Sequence, residues 1–362
     1  MTIQENVPLA PLTTLQVGGL ARYFAEVTRE DAVLEAVHFA KSRSLPLFVL
    51  GGGSNLVIAD SGWTGLVLRI AIGGITSPTT KDATGNAVLF SVGAGVNWDD
   101  FVAQAVVQNC VGVECLSGIP GTVGATPVQN VGAYGQEVSD TIESVRALDL
   151  RTADSTEGRI VVLPKPAIGF RYRSSIFNSS ERGRYIILRV NYRLKRGGAP
   201  GLKYADLQKY FAETSSAETK TAPSLAETRA AVREIRRSKG MLIVPGDEDC
   251  RSAGSFFKNP VLSEQQFKDL AERAAAKGLE IPSYPALHEQ HKVSAAWLVE
   301  HSGFSKGYAA GAVGISHKHA LALINRGDAK ASDVVGLKDE IQHSVQQAWE
   351  ILLDPEPVFV GF

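Results

Sequence analysis

Apolar residues occur in short runs through the first half of the chain and at spacings of three and four in the second. Gly18 and Gly19 precede a strand-like aromatic run ending at Val27, and Thr28 with Asp31 matches a helix-start box. Val33, Leu34 and Val37 share one face of the helix this box predicts. Leu45 to Leu50 is a short apolar run bounded by glycines, as a buried strand is. The opening therefore reads β, α, β. Gly51, Gly52, Gly53, Ser54 and Asn55 lead straight into Leu56, Val57 and Ile58, and Asp60 with Gly62 marks a turn, so no helix fits after the glycines. Strands are expected over Val88 to Val92, Ser144 to Leu150 and Tyr185 to Tyr192. Asn97 or Asp99 can cap a helix carrying Phe101, Val102 and Val106. Between Phe170 and Phe177 an extended chain would put Arg171 and Arg173 on one face and Tyr172 on the other.

A polar linker with Ser215, Ser216, Glu218 and Lys220 near its middle precedes Pro223, Ser224 and Glu227, which form a capping-box start to a helix ending at Gly240. Most cations in its last turns, Arg233, Arg236, Arg237 and Lys239, are expected to face water, where they favour the helix C-terminus; one or two could meet a diphosphate. Ser263 and Gln266 open another helix, with Leu262 and Phe267 as a hydrophobic staple and Gly278 as its close. A further helix is predicted from Ser294 to Gly303. The last, from Ser332 to Leu352, has Val334, Leu337, Ile341, Val345, Ala348 and Leu352 as a core-facing stripe. Strands over Ala312 to Ile315, Ala320 to Ile324 and Val358 to Val360 complete the pattern, and Pro355 and Pro357 confine the last to a sheet edge. The fold class is α+β. The expected domains are residues 1–200, divided near residue 70, a linker 201–222, and residues 223–362, whose terminal strand can return to the first subdomain.

A chain of 362 residues with 44% hydrophobic content is long enough for more than one core. Its 37 basic and 38 acidic side chains lack the basic footprint of a nucleic-acid binder or a polybasic membrane anchor, which points to a small-molecule partner. Three cysteines cannot all pair, and Cys110 with Cys115 lacks the partners a zinc site needs, so reduced thiols in a cytoplasm are expected. His317 with His319, and His288 with His291, do not have metal-motif spacing, and no metal is expected. A polar start and the lack of any long apolar run argue against a signal peptide or a spanning helix.

The glycines at 51–53 open no helix and are followed by no Gly-Lys-Ser/Thr, which excludes the dinucleotide and P-loop patterns. They make either a tight turn or a nest of N–H groups for a phosphate. From Ser117 to Gly135 the chain is uncharged and rich in glycine, with Thr122, Gln129, Asn130 and Tyr134 among the glycines. Such a segment suits close backbone approach to a flat, polar-edged ligand better than it suits an idle loop. Arg171 reads as a solvated edge residue, while Arg173 beside Tyr172 and two hydroxyls can bind a carboxylate bidentately. Ser255, after Gly254 and before Phe256, Phe257, Lys258 and Asn259, is either a reactive hydroxyl in a sheltered pocket or part of a core-filling segment.

Gly51 to Asn55, Ile119 to Gly135, Tyr172 with Arg173, Ala253 to Pro260 and Glu356 together resemble, in order and approximate spacing, the UDP-N-acetylenolpyruvoylglucosamine reductase family. The loop containing Tyr204 and the insert before Ser332 match its longer subtype. Two places depart from the family pattern: the stretch Thr13, Thr14 and Leu15 stands where Asn-Thr-Phe is usual, and Ser174 where an acidic residue is common. The resemblance implies a fold of the vanillyl-alcohol-oxidase type followed by a substrate-binding domain. It implies noncovalent FAD, with Leu50, Gly51, Gly52, Gly53, Ser54 and Asn55 near the pyrophosphate. Ile119, Pro120, Gly121, Thr122, Gly124, Ala125, Gln129, Gly132 and Ala133 would lie around the isoalloxazine. It further implies reduction of FAD by NADPH, then of the enolpyruvyl ether of UDP-N-acetylglucosamine, in peptidoglycan precursor synthesis by a bacterial enzyme; a monomer is expected. Arg173 would stabilise the enolate-like charge, Ser255 donate the proton, and Tyr172, Tyr204, Lys239 and Asn259 hold the substrate. Glu356 helps only if protonated or screened, so burial is expected to raise its pKa well above the ordinary value of about 4.3. The absence of a histidine at a recognisable spacing from Ser255 favours a proton donor over a nucleophile. The alternatives are an FAD-dependent oxidase of a sugar or hydroxy acid on the same fold, and a flavin-free UDP-sugar-binding module.

Overall fold

The computed structural model describes residues 1–77, 86–152, 159–214, 222–285 and 290–362. The chain folds into two compact units: Met1–Val7, Ala21–Gly53 and Thr64–Ser238 form the first, and Pro8–Leu20, Ser54–Trp63 and Lys239–Phe362 the second.

In the first unit, strands Gln4–Pro8, Leu20–Val27, Trp63–Ile70 and Leu47–Leu50 lie in that order in one sheet, the last two parallel. Helix α1 (Glu30–Ser42) buries Val33, Ala36 and Val37. The expected Thr28–Asp31 box does not form. Arg29 takes the position before the helix without a side-chain cap, and Asp31 Oδ1 accepts from Ala32 N–H at 2.9 Å. A second sheet runs in the order Arg159–Pro164, Ile142–Asp149, Tyr185–Arg196, Ala87–Gly93, Ile75–Thr76, each neighbour antiparallel. Helix α2 (Trp98–Val107) is capped by Asn97 Oδ1, which accepts from Asp99 N–H at 2.9 Å and Asp100 N–H at 3.3 Å. Its Phe101 ring packs 5.6 Å from Phe90 and 4.8 Å from Tyr192, both on the second sheet. Each such aromatic, removed from water, contributes roughly 1.5–3 kcal/mol. Burial pushes the Tyr192 phenol well above its ordinary range, and its hydroxyl shares a 2.7 Å bond with Thr126 Oγ1. After the short turn α3 (Lys165–Ile168) comes the segment carrying Arg173.

The expected linker is partly helical, and its centre, Ser215 to Lys220, lies outside the described residues. Helix α4 (Ala205–Thr214) buries Leu207 against Ala231, Val232 and Ile235 of α5 (Leu225–Ser238), in a small cluster with Cys115 and Tyr134. Helix α5 opens with the expected box: Ser224 Oγ accepts from Glu227 N–H at 3.2 Å and Glu227 Oε2 from Ser224 N–H at 2.7 Å. Its apolar stripe seats it in the first unit, whose last segment runs to Ser238.

The second unit has its own core, in which Leu15, Val17 and Val57 join Phe256, Leu298 and Trp349. Helix α6 (Glu264–Ala276) has the Ser263–Gln266 capping box, and Ser294 caps α7 (Ala295–Glu300). In α8 (Ala331–Trp349) Val334, Leu337, Ile341 and Val345 are buried, while Leu352 falls past the helix end and is exposed. The terminal strand Val358–Val360 pairs in parallel with Leu56–Ile58. Among the described residues no helix is long and apolar enough to cross a membrane.

Candidate active site

The first unit brings together the two glycine segments that the sequence singles out separately. Leu50 is fully buried in the core and can offer a ligand only its backbone. Beyond it, a Cβ on Gly51 would stand 3.0 Å from Thr122 Oγ1 and 3.6 Å from Ala125 Cβ, and one on Gly52 would stand 2.5 Å from Gly121 Cα. At Gly52 only glycine permits that approach. The opposing segment is docked by its backbone: Trp98 N–H donates to Gly121 O at 3.1 Å, Val123 N–H to Val96 O at 2.9 Å and Gly124 N–H to Ala94 O at 2.8 Å. The N–H groups of Gly52, Gly53, Gly121 and Thr122 donate to no protein group among the described residues. Buried or half-buried N–H groups need an acceptor. Four of them on two apposed, nearly side-chain-free stretches suit an anion such as the FAD pyrophosphate. The residues present fit that cofactor.

Asp99 anchors the start of the second segment, accepting from Gly118 N–H at 2.6 Å on Oδ1 and from Arg229 Nη2 at 2.8 Å on Oδ2, which Arg233 also meets. Burial pushes this carboxyl up, but the bonds from Arg229 and Gly118 and the charges of Arg229 and Arg233 outweigh it, holding the group below its ordinary range. The cations of α5 are thus not all solvated: Arg233 is spent on Asp99. Arg236 is buried, and desolvation lowers it against the opposing pull of the Tyr134 phenol and Asp99.

Arg171 and Arg173 do not share the face of an extended strand. Arg171 and Ser174 exchange backbone bonds of 2.9 and 3.1 Å, closing a tight turn in which Arg173 has φ +52°. Asn178 stabilises the turn by donating to Arg173 O at 3.1 Å and accepting from Ser175 N–H at 2.9 Å. The Arg173 guanidinium lies 5.5 Å from the centre of the Tyr172 ring, and its Nη1 is 3.5 Å from where a Cβ of Gly132 would be. The cation therefore stands against the second glycine segment, near Ala133. Asn130 ties the two together, donating to Arg171 O at 3.2 Å and to Glu137 Oε2 at 2.7 Å. Tyr204 is 43% exposed and meets Tyr134 edge-on at 5.4 Å, while Tyr172 is 42% exposed. Both phenols can reach a ligand. Ile119, Pro120 and Gln129 lie half-buried along the same segment.

In the second unit, Ser255 follows Gly254, whose φ of +74° favours glycine, on a bend rather than a strand. Phe256 and Phe257 are buried and fix the bend to the core, while Ser255 is half-buried and its hydroxyl has no hydrogen bond among the described residues. Glu356 is brought to this bend from a hundred positions downstream. Its N–H donates to Phe256 O at 2.8 Å, Lys258 N–H donates to Asp354 O at 2.9 Å, and Phe257 bridges Pro355. Asn55 donates to Glu356 O at 3.2 Å and accepts from Val358 N–H at 2.9 Å, and Thr14 Oγ1 donates to Ser252 O at 2.6 Å, three residues before Ser255. Asn259 Oδ1 is committed to Ala295 N–H at 2.9 Å, so its amide N–H groups are what it offers a ligand. Lys239 opens the second unit and, after burial and with Lys306, pushes His319 down to about 4. His319 and Glu114 carry no signal in the sequence that would give them a role, and Asp99, a cap candidate by sequence, instead accepts from Gly118 N–H and Arg229. Each meets at least one partner distant in sequence: Gly201 for Glu114, Arg229 for Asp99 and the charge of Lys239 for His319.

Residues 21–160 match the model of an FAD-binding domain, which with the glycine cradle defines the class: a flavoprotein whose first part holds FAD. Residues 245–360 match the C-terminal domain of UDP-N-acetylenolpyruvoylglucosamine reductase. The chain is 44% identical over 361 residues to the UDP-N-acetylenolpyruvoylglucosamine reductase of Thermobifida fusca, covering 99% of this chain and 98% of that one. It is 44% identical over 357 residues to that of Salinispora arenicola, covering 98% and 94%. The crystal structure of the Thermus caldophilus reductase superposes with a TM-score of 0.64 at 26% identity, covering 99% of this chain and all of that one. The chain belongs to the UDP-N-acetylenolpyruvoylglucosamine reductase family. It is an FAD-dependent oxidoreductase of peptidoglycan precursor synthesis that uses NADPH.

Proposed function

We propose that this enzyme acts as a cytoplasmic monomer on the enolpyruvyl ether of UDP-N-acetylglucosamine, and that its chemistry is divided among Arg173, Ser255 and Glu356. Reduction adds a hydride to the terminal carbon of the double bond and a proton to the neighbouring carbon, giving UDP-N-acetylmuramate. When bound, FAD supplies the hydride chemistry between NADPH and that bond. The residues of the chain supply the rest. Negative charge develops on the carboxylate-bearing carbon, and the Arg173 guanidinium, whose backbone is fixed by its turn, stabilises that charge. The Ser255 hydroxyl gives its proton to the same carbon. Glu356 assists in its protonated form, since an ionised carboxylate would oppose the developing charge. Tyr172, Tyr204, Lys239 and the Asn259 amide bind the sugar nucleotide.

The observation that carries the assignment is the bond from Glu356 N–H to Phe256 O, which brings an acid to the bend that carries Ser255. The test is Arg173→Ala in the FAD-loaded enzyme. Its kcat for the sugar nucleotide is expected to fall about 10²–10³-fold, with Arg173→Lys recovering part of the loss. An unchanged kcat in Arg173→Ala would sink the assignment.

A further inference from the structure

Glu114 is a carboxylate with 1% exposure and, among the described residues, no ion-pair partner. Burying such a group is costly unless every oxygen is met. Here three neutral donors meet it. Oε2 accepts from Gly112 N–H at 2.7 Å, and Oε1 accepts from Gln136 Nε2 at 2.8 Å and from Gly201 N–H at 2.9 Å. The neighbouring Cys115 completes the arrangement: its N–H donates to Gln136 Oε1 at 2.8 Å and its Sγ to Gly201 O at 3.0 Å. Burial and the adjacent Glu114 push this thiol up to about 12, so it remains a donor. The peptide groups of Gly201 are therefore held on both the N–H and the C=O side, in a stretch of chain with no strand or helix of its own.

Tyr204 stands three positions beyond this anchor. Helix α4 starts on it, with Leu207 N–H donating to Tyr204 O at 3.1 Å, and Gln208 Nε2 reaches back to Leu202 O at 3.0 Å. The ring rests edge-on against Tyr134, two residues from Gln136. Residue 204 is thus suspended between a fixed helix and the Glu114 anchor. We infer that Glu114 is a positioning residue for the reduction: it holds Gly201 so that Tyr204 meets the sugar nucleotide in one orientation. The inference rests on the reading of Tyr204 as a substrate-binding residue.

In Glu114→Gln the amide N–H₂ must face one of the three backbone or side-chain donors, so the anchor loses at least one bond. The FAD-loaded enzyme is assayed with NADPH and the enolpyruvyl ether of UDP-N-acetylglucosamine. The expected result is a KM for the sugar nucleotide raised about tenfold, while FAD retention and the rate of reduction by NADPH change less than about twofold. In a Tyr204→Ala background the same substitution is expected to have no further effect on KM, because both act through one contact. Gly201→Ala provides a second route should Glu114→Gln fail to fold: its methyl would stand 3.2 Å from Gln136 Nε2 and is expected to raise KM about threefold with the same split. A Tyr204→Ala enzyme that keeps its KM would overturn the substrate reading of Tyr204 and the inference with it. If Tyr204→Ala raises KM while Glu114→Gln is silent or fully additive, the anchor alone is overturned. Equal damage to FAD retention and NADPH oxidation would make Glu114 merely structural.

Discussion

At the scale of single residues, the second unit holds a histidine tuned away from its ordinary behaviour. Leu321 N–H donates to His319 Nδ1 at 2.9 Å, which requires a lone pair there and fixes the neutral ring with its proton on Nε2. Burial first, and then the charges of Lys239 and Lys306, lower it from 6.5 to about 4. A base whose folded pKa is depressed leaves the unfolded chain binding more protons between the two values, so stability falls as pH drops from about 6.5 towards 4. The upper bound on that loss is on the order of 3 kcal/mol. Denaturant midpoints at pH 7 and pH 4.5 should therefore differ less in His319→Gln than in the wild type. Equal pH dependence in both would contradict this account. The tuning of this histidine is invisible in the sequence, because the two lysines responsible lie 80 and 13 positions away.

At the scale of elements, signals with local causes are readable in the sequence and those with distant causes are not. Capping pairs at Ser224–Glu227 and Ser263–Gln266, and the cap at Asn97, depend on residues within one turn, and they form as expected. The Arg171–Ser174 turn escapes the sequence pattern because alternation assumes an extended chain, whereas Asn178 and Asn130 bind the carbonyls of Arg173 and Arg171 and bend it. Helix α4 is written in the spacing of Leu207, Tyr210 and Phe211, but a polar surround obscures it. The glycine cradle makes a graded prediction. In Gly52→Ala a methyl meets Gly121 backbone at 2.5 Å, which cannot yield without moving the segment; in Gly51→Ala it meets the Thr122 side chain at 3.0 Å, which can rotate. FAD titrated into the two apoproteins and followed by flavin fluorescence should bind Gly52→Ala at least about tenfold more weakly than wild type, and Gly51→Ala by no more than about threefold. The reverse order would place the pyrophosphate elsewhere.

At the scale of the whole molecule, the two units are discontinuous in sequence. Residues 8–20 and 54–63 leave the first unit to bury Leu15, Val17 and Val57 in the core of the second, an excursion that no linear pattern of composition announces. For that reason the glycine loops, motifs and family can be read from the chain while the unit boundaries cannot. The glycine cradle belongs to the first unit and the proposed proton donor Ser255 to the second, so a substitution at Ser255 should spare reduction by NADPH. Anaerobic stopped-flow on Ser255→Ala, following flavin absorbance first on mixing with NADPH and then on mixing with the enolpyruvyl sugar nucleotide, measures this directly. Reduction by NADPH should keep the wild-type rate within about twofold while reoxidation by the sugar nucleotide slows about 10²–10⁴-fold, the usual range for loss of a general acid. Equal slowing of both phases, or none in the second, would contradict a proton-donating Ser255.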